Sequence, residues 1–345
     1  MTASNAQWLL RRRPQGMVTL DDFEYKESPM PSADLAAGDV LVKNLYLSFD
    51  PAMRGWMDDA PSYLPPVAIG EPMRASAVGQ VIASENTAMP VGSLVQGMFG
   101  WQQYAVSKSS DLFPAMALPE GTPPTMPLSI FGGTSLTAYF GLLDVGQLQA
   151  GDTVLVSGAA GATGSAAAQM AKLKNCTVIG IAGGEEKCQW LRDECKLDAV
   201  IDYKSENIEQ RIGEICRQLD CEGINVFYDN VGGDTLEAGI EHMAKKGRIV
   251  LCGQISAYND EQPQPGPKNL MKLVVNSIRM EGFVMIDFMD RIDEAMNDIV
   301  TWVLEGKIAY REDIQEGFDN IPATFFRLFA GQNTGKQLLK IADPE

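Results

Sequence analysis

The amino-acid sequence predicts an α/β protein in which a β-rich domain precedes a second domain built on a doubly wound parallel sheet. Three observations carry this expectation. The chain has 345 residues, and at roughly 100–200 residues per domain that is enough for two domains that each bury a core. Its first 120 residues hold short β-rich runs separated by dense turn chemistry. After Pro127 the pattern changes to strand, short turn and helix, repeated.

In the first part, the runs Asp39–Ser48 and Val78–Ser84 are bounded by Gly, Asp and Pro, as short strands are. Asp50-Pro51, Asp58-Asp59-Ala60-Pro61 and Pro65-Pro66 supply turns between them. This fits an antiparallel or barrel-like β domain. In the second part, strands are expected at Thr153–Ser157, Cys176–Ala182, Ala199–Asp202, Ile224–Asp229 and Arg248–Gly253. Helices are expected between them, at Ser165–Lys174, Glu185–Glu194, Asn207–Leu219 and Asp234–Met243. In the third of these, Ile208, Ile212, Ile215 and Leu219 recur at helical spacing on one face. Such alternation implies right-handed βαβ units and a parallel sheet. Pro263, Pro265 and Pro267 mark a surface loop, after which a strand near Ile278–Met285 and a helix near Asp290–Leu304 resume the pattern. The tail from Ile308 is too short to stand alone and is expected to return to the first domain.

Composition excludes several function classes. Apolar residues make up 45% and charged residues 21%, so the chain is not a disordered one. With 28 Lys and Arg against 45 Asp and Glu, the net charge is −17. A nucleic-acid partner is not expected, because such binding neutralises phosphates with basic side chains; an anionic membrane surface is disfavoured likewise. His242 is the single histidine, which rules out the His-rich catalytic zinc sites. The six cysteines are spaced 12, 7, 21, 5 and 31 apart without a C-x-x-C pair, so no structural zinc ribbon is expected and no metal is assigned. Arg11-Arg12-Arg13 is followed by Pro14, Gly16, Asp21 and Asp22 rather than an apolar segment. The uncharged stretches Gly121–Leu143 and Thr153–Ala171 are broken by Pro and Gly. The expectation is a soluble, cytoplasmic protein with reduced thiols.

The most informative segment is Thr153-Val-Leu-Val-Ser157 running into Gly158-Ala-Ala-Gly161-Ala162-Thr163-Gly164 and then a helix. Strand, glycine turn and helix in this order form a dinucleotide-binding fingerprint. The glycines permit a tight turn and close backbone approach to a pyrophosphate, which rests on the helix N-terminus. It is not a P-loop, since Ser165 stands where that motif needs lysine. About 20 residues on, an NAD enzyme carries an acid for the ribose hydroxyls. Here the second strand ends in Ile181-Ala182-Gly183-Gly184, with no acid before Glu185, while Lys187 and Tyr203-Lys204 follow. A missing carboxylate beside available lysines favours NADP(H).

These residues resemble the zinc-independent medium-chain dehydrogenase/reductase superfamily, and more closely its NADP-dependent 2-alkenal, prostaglandin and curcumin reductases. The likeness runs over nearly the whole chain through Leu45–Gly55, Leu136–Leu143, Ser157–Ser165, Tyr228–Gly233, Cys252–Asn259 and Asn333–Lys336. It implies a GroES-like domain from residues 1–129 and 308–345, with a Rossmann NADP-binding domain at 130–307 between them. It implies that Gly161, Ala162, Thr163 and Gly164 bind the pyrophosphate while Lys187 and Tyr203 hold the 2′-phosphate. Asn230, Cys252, Gly253, Ser256, Tyr258, Phe283, Met285 and Asn333 would line the rest of the cofactor cleft, and Ala52, Met53, Arg54 and Tyr63 the substrate pocket. Where zinc alcohol dehydrogenases carry a Gly-His-Glu ligand motif, this chain reads Gly70-Glu71. Alkenal reductases of this type have Asp-Pro-Tyr-Met-Arg, and Ala52 replaces the tyrosine, which widens that side of the pocket. Members are often homodimers.

The implied reaction is NADPH-dependent reduction of the C=C bond of an α,β-unsaturated ketone or aldehyde, a small-molecule enone or enal. Hydride goes to the β-carbon, and Tyr258 is the first candidate to donate to the enolate oxygen. An NADPH–quinone reductase and a non-catalytic NADPH-binding protein are the alternatives. Tyr104-x-x-x-Lys108 matches the spacing of short-chain dehydrogenases but precedes the nucleotide turn, and is read as coincidence.

Overall fold

The computed structural model of the chain describes residues 4–344, which divide into two compact units, one running to Ser129 and resuming at Glu312, the other spanning Ile130–Arg311. The first unit opens with β1 (Ser4–Leu10) and β2 (Phe23–Pro29), an antiparallel pair. β3 (Val40–Ser48), β4 (Ala77–Ser84), β5 (Leu94–Gly97), β6 (Tyr104–Ser107) and β7 (Met116–Ala117) follow. β3 is the central strand, pairing antiparallel with both β4 and β6. That position explains why most of its residues are buried rather than every second one. Directly after β3, Asp50-Pro51 turns the chain into a 3₁₀ segment over Pro51–Met57, since proline suits the first turn of a helix.

The second unit begins with α1 (Gly133–Phe140), which widens into a π-turn at Gly141–Val145. Then come β8 (Thr153–Val156), α2 (Ala162–Leu173), β9 (Thr177–Ala182), α3 (Glu185–Asp193) and β10 (Ala199–Asp202). α4 (Ile208–Gln218), β11 (Ile224–Asp229), α5 (Gly233–Glu241) and β12 (Met243–Leu251) follow. A short α6 (Met271–Val275), β13 (Arg279–Gly282) and α7 (Ile292–Leu304) complete the unit. The strands form one parallel sheet in the order β10-β9-β8-β11-β12-β13. This is the doubly wound arrangement whose order reverses between β8 and β11. Strand residues Leu155, Ile179, Ile201, Phe227 and Ile249 pack with helix residues Ile212, Ile215, Leu236 and Ile240 in one core.

Several details differ from the sequence reading: β12 begins at Met243 rather than Arg248, and β13 ends at Gly282 rather than near Met285. α2 starts at Ala162, not Ser165, because the last residues of the glycine motif already form the first helical turn. Leu219 lies past the end of α4 and is 38% exposed, although the 4-3-4 spacing put it on the apolar face. The other end of α4 is fixed by Asn207, whose side chain accepts from the Gln210 N–H at 2.9 Å.

Residues 308–311 group with the second unit. The Gln169 side chain on α2 bonds both the N–H and the C=O of Ala309, each at 2.8 Å. The chain then returns to the first unit as β14 (Glu312–Glu316), α8 (Ile321–Phe329) and β15 (Lys336–Lys340). β15 lies parallel to β14 and antiparallel to β3, with Leu338 opposite Ser48. The mixed sheet of this unit therefore runs β14-β15-β3-β4-β5-β7, with β6 also on β3. Among the described residues no helix is long and apolar enough to cross a membrane.

Candidate active site

In an open α/β sheet, ligands bind beyond the carboxyl ends of the strands where the strand order reverses. Here that point lies between Val156 of β8 and Asp229 of β11. The glycine turn after β8 is tight because Gly158 adopts φ +58°, a conformation that favours glycine. A Cβ on Gly164 would lie 2.3 Å from the Gly158 carbonyl oxygen and 2.9 Å from the Ala159 Cα, so α2 packs against the turn backbone with no room for a side chain. Gly161 is different. Its φ of −78° suits any residue, and a Cβ there would meet nothing nearer than the Gly158 oxygen at 3.3 Å. No clash of the kind that Gly164 shows enforces glycine at Gly161, although the Gly158 oxygen would have to give by a few tenths of an ångström. α2 has no side-chain cap at this end, so the first-turn N–H groups of Ala162, Thr163 and Gly164 and the positive end of the helix dipole remain available to an anion.

The two sides of the switch point are held together by buried polar contacts. Ser157 Oγ donates to Asp229 Oδ1 at 2.5 Å and accepts from the Asn230 N–H at 2.8 Å. Asp229 also accepts from the N–H groups of Val231 and Gly232 at 3.1 and 3.0 Å. The Asn230 side chain donates to the Ser157 carbonyl at 2.7 Å. Burial pushes the Asp229 carboxyl above the usual carboxylate range, and these donors offset part of that cost. Asn230 is thereby placed beside the glycine turn.

At the end of β9, Gly183 and Gly184 lead into α3, again without a side-chain cap. A Cβ on Gly183 would lie 2.6 Å from the Tyr203 ring, so the exposed tyrosine at the end of β10 sits directly against this turn. Asp202, one residue earlier, clamps the turn from below. Its Oδ1 accepts from the Gly184 N–H at 2.8 Å and the Lys204 N–H at 3.0 Å, and Oδ2 from Ser205 Oγ at 3.1 Å. The Gly184 N–H above all holds the Asp202 carboxyl below its ordinary range. This acid is spent on backbone donors, and Lys187 stands half-buried in the first turn of α3. The turn thus brings together an aromatic ring, a lysine and a helix N-terminus.

The segment after β12 closes the nucleotide side. Ser256 Oγ donates to the Val231 carbonyl at 2.7 Å, tying the loop to the turn that starts α5. The Tyr258 hydroxyl oxygen accepts from the Gln254 N–H at 3.1 Å and lies 2.9 Å from where a Gly253 Cβ would be. Cys252 lies beside the fully buried Tyr228, and burial pushes its thiol up to about 11. Tyr228 in turn donates to the Thr137 carbonyl of α1 at 3.0 Å. Phe283 and Met285 are half-buried after β13 and lie against Gly141 and Gly133 respectively.

In the first unit, Ala52 is half-buried in the 3₁₀ segment. Met53 is 1% exposed. Arg54 is buried, with Nη1 2.6 Å from Asp58 and Nη2 3.4 Å from the carbonyls of Pro14 and Gly16, so its guanidinium holds the segment in place. Tyr63 accepts from the Trp56 indole at 3.0 Å and is half exposed. Asn333 donates to the Gly335 carbonyl at 2.9 Å. The buried Lys336 ammonium reaches the Phe49 carbonyl at 3.1 Å and pairs with Asp50, at the head of the segment that carries Ala52.

Ser157, Asp202 and Asp229 did not emerge from sequence reasoning. The signal was present as a polar residue ending each of three apolar strands, but the partners that tie one strand end to another are 18 to 72 residues away and invisible to local pattern. Among the described residues no three His, Cys, Asp or Glu side chains gather as metal ligands would.

Comparison with known proteins gives two family matches, an N-terminal domain of oxidoreductase over residues 6–115 and a zinc-binding dehydrogenase domain over residues 162–302. The chain is 37% identical to the NADPH-dependent curcumin reductase of Escherichia coli, covering 98% of this chain and 97% of that protein. It is 38% identical to prostaglandin reductase 1 of Bos taurus, covering 96% and 98%. A crystal structure of CurA in complex with NADPH from Vibrio vulnificus superimposes with a TM-score of 0.91 at 38% identity, covering 98% of this chain and all of that one.

Proposed function

Because the chain belongs to the zinc-independent medium-chain dehydrogenase/reductase family, we propose that it is an NADPH-dependent reductase of carbon–carbon double bonds conjugated to a ketone or aldehyde. The observation that carries this reading is the fit of the second unit to the cofactor. Gly161, at an uncapped helix end, adds no side chain beside the first-turn N–H groups. The Gly183-Gly184 turn presents Tyr203 and Lys187 where an NAD enzyme would present an acid.

The residues divide the work as follows. The N–H groups of Ala162, Thr163 and Gly164 hold the pyrophosphate, while Lys187 and Tyr203 hold the 2′-phosphate. Asn230, Cys252, Gly253, Ser256, Phe283 and Met285 shape the remaining contacts from Ile130–Arg311, the NADP-binding domain. Ala52, Met53, Arg54, Tyr63 and Asn333 belong to the domain that receives the substrate. When bound, NADPH supplies the hydride that adds to the β-carbon. The negative charge that this places on the substrate oxygen needs a donor, and Tyr258, whose oxygen accepts from the Gln254 N–H, is the phenol that would supply it.

The working form is a cytoplasmic homodimer. Six free thiols suit a reducing compartment. Leu270, Met271, Val274 and Val275 are 45 to 70% exposed on and beside α6, just before the edge strand β13. An apolar patch of this kind is what a subunit interface covers.

The test is NADPH oxidation, followed by absorbance, against a graded set of enones, enals and quinones, with NADH as control. Saturated ketone as the product of an isolated enone supports the reading. Turnover of quinones alone, or equal rates with NADH, refutes it.

A further inference from the structure

A cavity of about 500 Å³ opens at the amino ends of the parallel strands, away from the glycine turn, with Thr153, Thr177, Cys221, Asn225 and Lys245 among its lining. Cys221 belongs to the C-terminal cap of α4. Asp220 takes φ +52°, and the Cys221 N–H then donates back to the Cys216 carbonyl at 3.0 Å. This six-to-one bond is the Schellman ending of a helix, which brings the two side chains flanking it into contact. Elsewhere that contact is between two apolar residues. Here both are cysteines, and each thiol is close enough to influence the other. The backbone bond also holds the two Cα atoms no more than about 6.8 Å apart, within disulfide reach.

The partners are unequal. Cys216 is 8% exposed and packed in the sheet core; burial first, then the neighbouring Cys221, pushes its thiol up to about 12. Cys221 is half-buried and faces the cavity. The remaining four thiols are not paired in this way: Cys176, Cys188 and Cys195 are buried singly and Cys252 lies beside a tyrosine.

We propose that Cys216 and Cys221 form a reversible dithiol–disulfide pair, a redox modification site at the end of α4 that is separate from the nucleotide site. The oxidant is a hydroperoxide. The Cys221 sulfur, facing the cavity, attacks the peroxide, taking one oxygen to become a sulfenic acid while the O–O bond breaks and the alcohol leaves. The Cys216 sulfur then displaces the hydroxyl, its proton leaving with it as water, and the S–S bond forms. Two thiols lose two electrons and the peroxide gains them. The bond covalently locks the helix cap and fixes the entry into β11, the strand whose far end carries Asp229 and Asn230.

The full-length protein is treated with tert-butyl hydroperoxide under native conditions and weighed intact. The expected product is about 2 Da lighter, two hydrogens lost, and dithiothreitol restores the mass. Trypsin cleaves at Arg217, between the two cysteines, so the bond links peptides 212–217 and 218–245 in a non-reduced digest. Cys221→Ser shows no mass loss. A stable gain of one oxygen, an unchanged mass, or a disulfide mapped to any other pair overturns the proposal.

Discussion

Adding one methyl group at Gly161 and at Gly164 separates a residue kept for the ligand from one kept for the fold. The two lie three positions apart at the head of α2. In Gly164→Ala the new Cβ would sit 2.3 Å from a backbone oxygen and 2.9 Å from each of two backbone carbons. None can move without opening the turn, so the cost is that of overpacking, about 1–3 kcal/mol. At roughly 2–4 °C per kcal/mol for a large domain, the apo protein melts about 2–12 °C lower. In Gly161→Ala the contact is 3.3 Å and φ is −78°, so apo stability changes by no more than about 1 kcal/mol, the range of cap substitutions. The methyl instead stands beside the first-turn N–H groups. If it removes one hydrogen bond to a charged phosphate, about 1.5–3 kcal/mol, the KM for NADPH rises about 10- to 100-fold. Melting curves without ligand and initial rates with NADPH varied at a fixed, saturating enone read both quantities. The reasoning fails if Gly161→Ala lowers apo stability as far as Gly164→Ala while its KM for NADPH stays at the wild-type value.

Asp202→Ala removes the acceptor for the Gly184 and Lys204 N–H groups, so KM for NADPH is expected to rise about tenfold while that for NADH stays unchanged; an equal rise in both sinks the assignment. The Asp202 carboxyl is held low by Gly184 N–H, so its clamp is complete above the unfolded Asp range, about pH 3.9, and is lost only as pH falls through the lower folded value. Its contribution to NADPH binding is therefore flat from about pH 5 to pH 8, which a comparison of wild type and variant across that interval checks. Asp229→Ala leaves Ser157 Oγ and two backbone N–H groups without their acceptor, at a cost of about 3–5 kcal/mol in urea unfolding. Asp229→Asn, which keeps one acceptor oxygen, should cost less than half as much; equal losses would point to packing instead. Tyr258→Phe is expected to lower kcat at saturating NADPH about 100-fold or more with KM for NADPH within about twofold, and an undiminished kcat removes Tyr258 from the chemistry.

The doubly wound sheet was legible because β8, β9, β10 and β11 are mostly apolar and alternate with helices, whereas β12 carries Lys245, Lys246 and Arg248 and β13 carries Arg279 and Glu281. Thr153–Val156, Ala199–Asp202 and Ile224–Asp229 are strands very nearly as read. The glycine turn was legible because Gly158 and Gly164 are demanded by the local backbone. Spacing misled where a helix stopped early, at Leu219, since periodicity cannot see the cap that Asp220 and Cys221 build.

What the sequence determined by itself was the fold class, the nucleotide turn and the absence of an acid after β9. These depend on neighbours along the chain and on the chemistry of single residues. Only the tertiary structure decided that Asp202 is spent on the Gly183-Gly184 turn, that Ser157 and Asp229 lock the switch point, that Arg54 serves the backbone around it, and that Cys216 and Cys221 share one helix cap. A buried polar group must find its partners wherever the fold brings donors within hydrogen-bond reach. In this chain those partners lie as far as 72 residues away for Ser157 and Asp229, a distance over which the one-dimensional pattern carries no signal.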